Sequence, residues 1–352
     1  MFMKNQPIRY AVAGLGRSGW NIHVNQIAPR QDAELVAVVD PLRERRQEAA
    51  DEFGCQIYET FEPMLSQKDV NVVVVATPSA AHAPNSIAAL EAGKHVICEK
   101  PMAMHQDEAD QMIQAAEANN RHLFIHQNYR FQSVFTHLQE VIDSGIIGRL
   151  YHIRNYNNDF SRRDDWQTLA RNGGGVLNNK CTHNLDMIMQ LLGGKVVEVM
   201  GDLQQIASGG DVEDHAKAFL KADNGCTADM EVTSAQNIAA QMPAWILCGT
   251  SGTLTSDGKQ STIRWFDPEE AGQVEVIEGA AKNRAYGSNA KPIDWQEKVV
   301  ESKGPNIGNF YDNVTAVLQE RSEMYVTPQS VREVLRVMTE IRAGTDFEVA
   351  TG

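Results

Sequence analysis

Residues 8–19 read IRYAVAGLGRSG, a short β-rich run that leads straight into a GxGxxG turn. Glycine-rich turns are common, so the pattern carries weight only through what surrounds it. A helical pattern follows, and Asp40 closes the next strand 21 residues after Gly19. In that setting Gly14 makes the tight turn, Gly16 lets the backbone approach a pyrophosphate, and Gly19 allows the helix to pack closely on the strand. Leu15 and Arg17, the variable positions between them, share the contact. The start of the helix offers free N–H groups and a positive dipole end to the phosphates. Asp40 can accept hydrogen bonds from both ribose hydroxyls and would repel a 2′-phosphate, so NAD is favoured over NADP. Arg43, Arg45 and Arg46 could in principle hold such a phosphate but read better as a solvated helix face.

Outward from this turn, short β-rich runs alternate with helical stretches. Strands are expected at Ile8–Ala13, Leu35–Val39, Val70–Val75, His95–Cys98 and His122–Gln127, with helices at Pro41–Phe53, Ala80–Ala92 and Gln106–Asn119. NVVVVATP is a continuous apolar run, as a central strand covered on both faces requires. This rhythm implies a doubly wound parallel sheet over residues 1–128. From residue 129 it changes: a helix around Val134–Asp143, a strand from Leu150, a helix after GGG, several strands whose turns are ADNG and GTSG, and closing helices near Asn309–Glu320 and Pro328–Ala343. Residues 129–352 are therefore expected to form an α+β domain on a large, mostly antiparallel open sheet, serving substrate binding and oligomerisation.

The composition excludes several classes of function. A chain of 352 residues suits two domains, and 42% apolar with 22% charged residues is globular. A formal net charge of −14 opposes nucleic-acid or anionic-membrane partners. No apolar run of membrane-spanning length occurs, and MFMKNQPIRYAVAG lacks a secretory h-region, so a cytoplasmic protein is expected. The five cysteines are scattered without a CxxC pair, and neither a disulfide framework nor a metal site is indicated.

Two further stretches carry candidate chemistry. HVICEKPMA places Glu99, Lys100 and Pro101 at the carboxyl edge of the parallel sheet, where ligand crevices lie. GGGVLNNKCTHNLD, residues 173–186, sets Asn179, His183, Asp186 and Gln190 on one helical stripe, opposite Leu177, Cys181, Leu185, Ile188 and Leu192. Most such polar stripes face water. A catalytic His183 needs a partner, and Lys100 at the sheet edge supplies one.

GLGRSG with Asp40, ATPSAAH at 76–82, EKP at 99–101 and GGGVLNNKCTHNLD together resemble the glucose-fructose oxidoreductase and inositol dehydrogenase family (Gfo/Idh/MocA), in its order and approximate spacing over nearly the whole chain. The resemblance implies a Rossmann domain, an EKP lysine beside the reacting carbon with a proline that is typically cis, and an acid/base histidine from a DxxxH helix. Those roles fall on Lys100 and His183. Thr77, Pro78 and His82 match the cofactor-side turn, and Glu99 belongs to the same contact. Asn179 stands where the family commonly has Asp; an amide holds a hydroxyl but relays no proton.

The expected activity is reversible oxidation of a secondary alcohol in a sugar, cyclic polyol or sugar derivative. His183 acts as base and Lys100 stabilises the developing oxyanion. Asn179, Asp186, Arg163, Asp165 and Trp166 are the expected substrate contacts, with Arg162, Asp164, Tyr129, Arg130 and Tyr286 as weaker candidates. Two other readings stay open: an NAD-dependent lyase or glycosidase that oxidises only transiently, and a noncatalytic dinucleotide sensor. An open sheet face also suggests a homodimer or homotetramer.

Overall fold

The computed structural model describes residues 6–238, 242–274, 276, 278, 279, 292–301 and 308–347. Tyr286, a weak substrate candidate, lies outside them. Two sheets organise the described residues. The first has six parallel strands, β1 (Ile8–Ala13), β2 (Ala33–Val39), β3 (Gln56–Tyr58), β4 (Val72–Val75), β5 (His95–Cys98) and β6 (Leu123–Ile125), in the order β3-β2-β1-β4-β5-β6. The order reverses direction between β1 and β4, so their carboxyl ends open a crevice at the switch point. All four residues of β4 are buried, as its unbroken valine run requires. β3 escaped the sequence pattern because it is three residues long and mostly exposed.

The second sheet has eight strands: β7 (Leu150–Asn158), β8 (Val196–Gln204), β9 (His215–Ala222), β10 (Thr227–Thr233), β11 (Trp245–Gly249), β12 (Gly252–Ser256), β13 (Gln260–Trp265) and β14 (Gln296–Glu301). Their order is β14-β13-β12-β11-β7-β10-β9-β8, antiparallel throughout except for the parallel pair β7 and β10. The expected turns join β9 to β10 through Asp223–Gly225 and β11 to β12 through Thr250 and Ser251. Ala216, Ala218, Leu220 and Ala222 alternate inward along β9, the signature of a sheet with one covered face.

The two sheets share their interior. One apolar cluster runs from Ala11 and Val75 through Leu177 and Leu185 to Met230 and Leu247. The helix Gly308–Leu318 returns to the first sheet, where Phe310, Tyr311 and Val314 pack with Tyr10, Val24 and Ile27. The helix Pro328–Arg342 buries Val334, Val337, Met338 and Ile341 in the shared cluster. Among the described residues no helix is long and apolar enough to cross a membrane.

Candidate active site

The turn after β1 is tight on two sides and open on the third. Gly14 has φ +89°, and a Cβ there would stand 2.5 Å from the Ala76 carbonyl oxygen. A Cβ on Gly19 would meet the Gly14 carbonyl oxygen at 1.7 Å. Around Gly16 nothing lies within 4 Å of that position, which leaves the backbone clear for a pyrophosphate at the helix start. Leu15 is buried and Arg17 exposed. The first helical turn, Gly19–Val24, is π-wound. Ala76, Thr77 and Pro78 leave the adjoining end of β4, with Thr77 and Pro78 at least partly accessible.

Asp40 braces this turn. One carboxylate oxygen accepts the Leu15 N–H at 2.7 Å and the other the Leu42 N–H at 2.9 Å. The oxygen that accepts from Leu42 keeps a second lone pair for a ribose hydroxyl, while Arg45 Nη1 stands 3.5 Å from the one that accepts from Leu15. Arg46 is spent on the carbonyls of Asp40 and Pro41, so it is a buried strut rather than part of a solvated face.

Lys100 leaves β5 through a cis peptide to Pro101. Its Nζ donates to the Asn179 carbonyl oxygen at 2.8 Å, with Asn179 Oδ1 at 3.5 Å. Burial lowers the Lys100 pKa; Glu99 opposes the fall, and Arg17 and Arg163 add to it. The ammonium thus ties the edge of the first sheet to the helix that carries His183.

That helix begins with a π-wound stretch, Leu177–Cys181, and continues as Thr182–Leu191. His183 is 7% exposed, and its Nδ1 lies 2.9 Å from Gln127 Oε1. Gln127 Nε2 faces the Thr182 hydroxyl and carbonyl at 3.1 and 3.3 Å, which fixes the amide orientation. His183 Nδ1 must therefore carry the proton, leaving Nε2 with its lone pair. Nε2 makes no hydrogen bond to another described residue. Burial, reinforced by the Lys100 ammonium, pushes the His183 pKa well below its ordinary value. Tyr129 stacks on the imidazole at 4.0 Å between centroids and 9° between planes.

Three expected contacts are corrected. Asp186 is fully buried, and both its oxygens are held by Arg130 Nε and Nη2, so it faces no substrate. His82, expected on the cofactor, directs its two nitrogens to the carbonyls of Pro101 and Thr77 at 2.7 and 2.9 Å. It staples the two cofactor-side turns together. Glu99 is 4% exposed and turned inward: Oε1 accepts from His23 and His126, each at 3.0 Å, and Oε2 accepts the Lys100 N–H. Along the stripe Asn179 is partly exposed at the cleft, His183 and Asp186 are buried, and Gln190 is exposed.

In the loop before the helix, Arg163 holds Asp165 in a bidentate pair and donates to Gln167. Gln167 Oε1 in turn accepts from Asn179 at 3.3 Å. Arg163, Gln167, Asn179, Lys180, Ser208 and Ser234 line one cleft. Lys180 is paired with Asp159 and Ser234. Trp166 stands at 50% exposure, while Arg162 and Asp164 are exposed. The sequence reading overlooked Gln127, whose only signal is its place just past β6, on the sheet edge that also carries Lys100.

Two family models match these two halves: "Oxidoreductase family, NAD-binding Rossmann fold" over residues 8–127 and "GFO/IDH/MocA C-terminal domain" over residues 135–255. The chain belongs to the Gfo/Idh/MocA family. The family is one of NAD-binding oxidoreductases, and NAD is the dinucleotide of this member. A 1-carboxy-3-chloro-3,4-dihydroxycyclohexa-1,5-diene dehydrogenase of Comamonas testosteroni is 33% identical over 228 residues, which are 63% of this chain and 57% of that protein. A 2,7-anhydro-N-acetylneuraminate hydratase of Mediterraneibacter gnavus is 24% identical over 326 residues, 85% of this chain and 84% of that one. Among solved structures, an NAD-binding protein from Listeria innocua is 28% identical with a TM-score of 0.79, covering 96% of this chain and 94% of its own.

Proposed function

We propose that this Gfo/Idh/MocA member is an NAD-dependent dehydrogenase that reversibly oxidises a secondary alcohol of a sugar, cyclic polyol or sugar derivative. The observation that carries the reading is the tautomer of His183: Gln127 occupies Nδ1 and leaves the Nε2 lone pair on a helix held at its previous turn by the Lys100 ammonium. Nε2 takes the hydroxyl proton as the alcohol is oxidised, and Lys100 donates to the same oxygen as negative charge builds on it. Bound NAD supplies the hydride acceptor. Gly14, Leu15, Gly16, Arg17, Gly19, Asp40, Thr77 and Pro78 hold it. Asn179, with Arg163, Asp165 and Trp166 at the rim, orients the polyhydroxylated substrate. Asn179 carries no charge, so the neutral imidazole alone is the base.

We further place the enzyme in the cytoplasm as a homodimer or homotetramer. The outer face of the eight-stranded sheet supports assembly, for Met200 and Val299 stand exposed on it.

The test is reduced-nicotinamide absorbance on mixing protein and NAD with inositols, aldoses, sugar acids and anhydro sugars. Lys100→Ala should leave NAD affinity nearly intact and lower turnover by roughly 10²–10³-fold, the scale of losing one oxyanion donor. His183→Ala should lose activity with partial recovery at high pH. Near-normal turnover in either variant refutes the assignment. The likeness to a hydratase over most of the chain favours one second reading, transient oxidation followed by elimination, with the same two residues. Its signature is substrate consumed without net NADH.

A further inference from the structure

Glu99 is a carboxylate buried behind the crevice, and three donors from three parts of the chain converge on it. His23, from the helix after the glycine turn, reaches Oε1 at 3.0 Å; His126, just past β6, reaches the same oxygen at 3.0 Å; the Lys100 N–H reaches Oε2 at 3.0 Å. The proton positions follow from the partners. Tyr311 is buried, and burial keeps its phenol protonated far above the usual range. Its hydroxyl therefore donates to His23 Nδ1, a contact of 2.6 Å, and His23 must present Nε2–H to Glu99. His126 likewise presents Nδ1–H, since an ionised carboxylate only accepts.

The two arms of this cluster end at the two catalytic groups. One runs through a single backbone N–H to Lys100. The other runs through His126 to its neighbour Gln127, which fixes the tautomer of His183. His126 N–H is also bonded to Cys98 O at 2.8 Å, so the exit of β6 is registered against that of β5 from both sides.

We propose that Glu99 is the positioning residue of this site: one buried carboxylate holds the Lys100 ammonium and, through His126 and Gln127, the His183 imidazole in register with each other. The proposal rests on Lys100 and His183 being the catalytic pair. Glu99 touches no substrate and acts through its neighbours. It also contributes a fixed negative charge. Among the described residues, the charges that act on Lys100 are Glu99, Arg17 and Arg163, and those that act on His183 are Lys100, Glu99 and His126. Glu99 is the sole anion in both sets, so it favours the protonated form of both groups.

Glu99→Gln preserves shape and removes the charge. Its amide cannot accept on both sides, so either Lys100 N–H or the two imidazoles lose their acceptor. The expected result is kcat reduced at least about tenfold, since a hydrogen bond to a charged group is lost, with NAD affinity, read by quenching of protein fluorescence, within about twofold. Both limbs of the pH profile of kcat/KM should move to lower pH, by about one unit. Glu99→Asp retains the charge on a shorter stem and should leave both limbs in place while turnover stays low; if the Gln variant fails to fold, wild-type turnover in the Asp variant overturns the proposal. Unmoved limbs in Glu99→Gln overturn it too, because a purely structural carboxylate would lower activity without moving them. So does a stoichiometric metal ion in the purified protein whose removal reproduces the variant. Lys100→Ala is measured alongside: an active Lys100→Ala refutes the catalytic reading, whereas an inactive one beside a normal Glu99→Gln refutes only the positioning.

Discussion

Gln127→Met isolates the tautomer argument. Methionine has the length of glutamine and little hydrogen-bonding capacity, so the substitution deletes the acceptor at His183 Nδ1 and the donor to Thr182 while nearly preserving volume. A hydrogen bond of this kind contributes about 1 kcal/mol net. Without it the tautomer with a free Nε2 loses that much of its advantage, and about 1.4 kcal/mol is a factor of ten. A fivefold to tenfold fall in kcat/KM is therefore expected, roughly, from tautomer bias alone. A wrong tautomer held rigidly costs roughly 10⁴ in serine proteases. That extreme is not expected here, because nothing would trap the imidazole and Tyr129 still holds its plane at 4.0 Å. The assay is initial-rate kinetics across pH with NAD affinity measured separately. Gln127→Glu is the converse: a carboxylate on Nδ1–H favours imidazolium, so the acid limb should rise by about one to three units. A Gln127→Met enzyme within twofold of wild type, or one whose loss lies wholly in NAD affinity, would show that Gln127 does not set the base.

Other outcomes follow from the same geometry. Gly16→Ala should fold normally and weaken NAD at least about tenfold, since the open space there faces ligand; Gly19→Ala should instead lower thermal stability, because its Cβ would overlap the Gly14 carbonyl. Because burial and then Lys100 depress the His183 pKa, its neutral form persists as pH falls, and the acid limb of kcat/KM for alcohol oxidation should lie below the ordinary histidine value of about 6.5. A limb at or above that value contradicts the buried, Lys100-facing imidazole. Asp186→Asn leaves the buried Arg130 without its counterion and should cost about 3–5 kcal/mol in denaturant unfolding; a loss under 1 kcal/mol would mean that the pair is solvated in solution.

Five of the six strands of the first sheet were legible because their cues are local. IRYAVAGLGRSG, Asp40 and the valine run each declare their position through short-range patterning. The second sheet was legible as a class, through its turns, but the parallel pairing of β7 and β10 was not, since their partners are set by contacts across some seventy residues. That Lys100 meets the helix carrying His183 was readable from motif and spacing. Asp186, His82 and Glu99 were misassigned for one reason: a polar residue beside a crevice can point into it or away from it, and only the partner decides. Arg130 turns Asp186 inward and the two imidazoles turn Glu99. Gln127 was overlooked because its role lies in which face of its amide meets which neighbour, information that exists only once β6 and the Thr182–Leu191 helix are packed together.

The return of the helix Gly308–Leu318 to the first sheet has a consequence for synthesis. His23 and Tyr311, now hydrogen-bonded, are 288 positions apart, and Thr315 and Asp312 bond Asp32 and Arg30 near the start of β2. A ribosome adding about 5–20 residues per second delivers the face formed by Tyr10, Val24 and Ile27 roughly 15–60 s before the helix that covers it. From the emergence of β6 onward, a nascent chain with every strand of its parallel sheet made still shows bare apolar surface. Maturation of the amino-terminal half is timed by the arrival of a late segment, and chaperone contact during translation should concentrate on that uncovered face until Leu318 has cleared the exit tunnel.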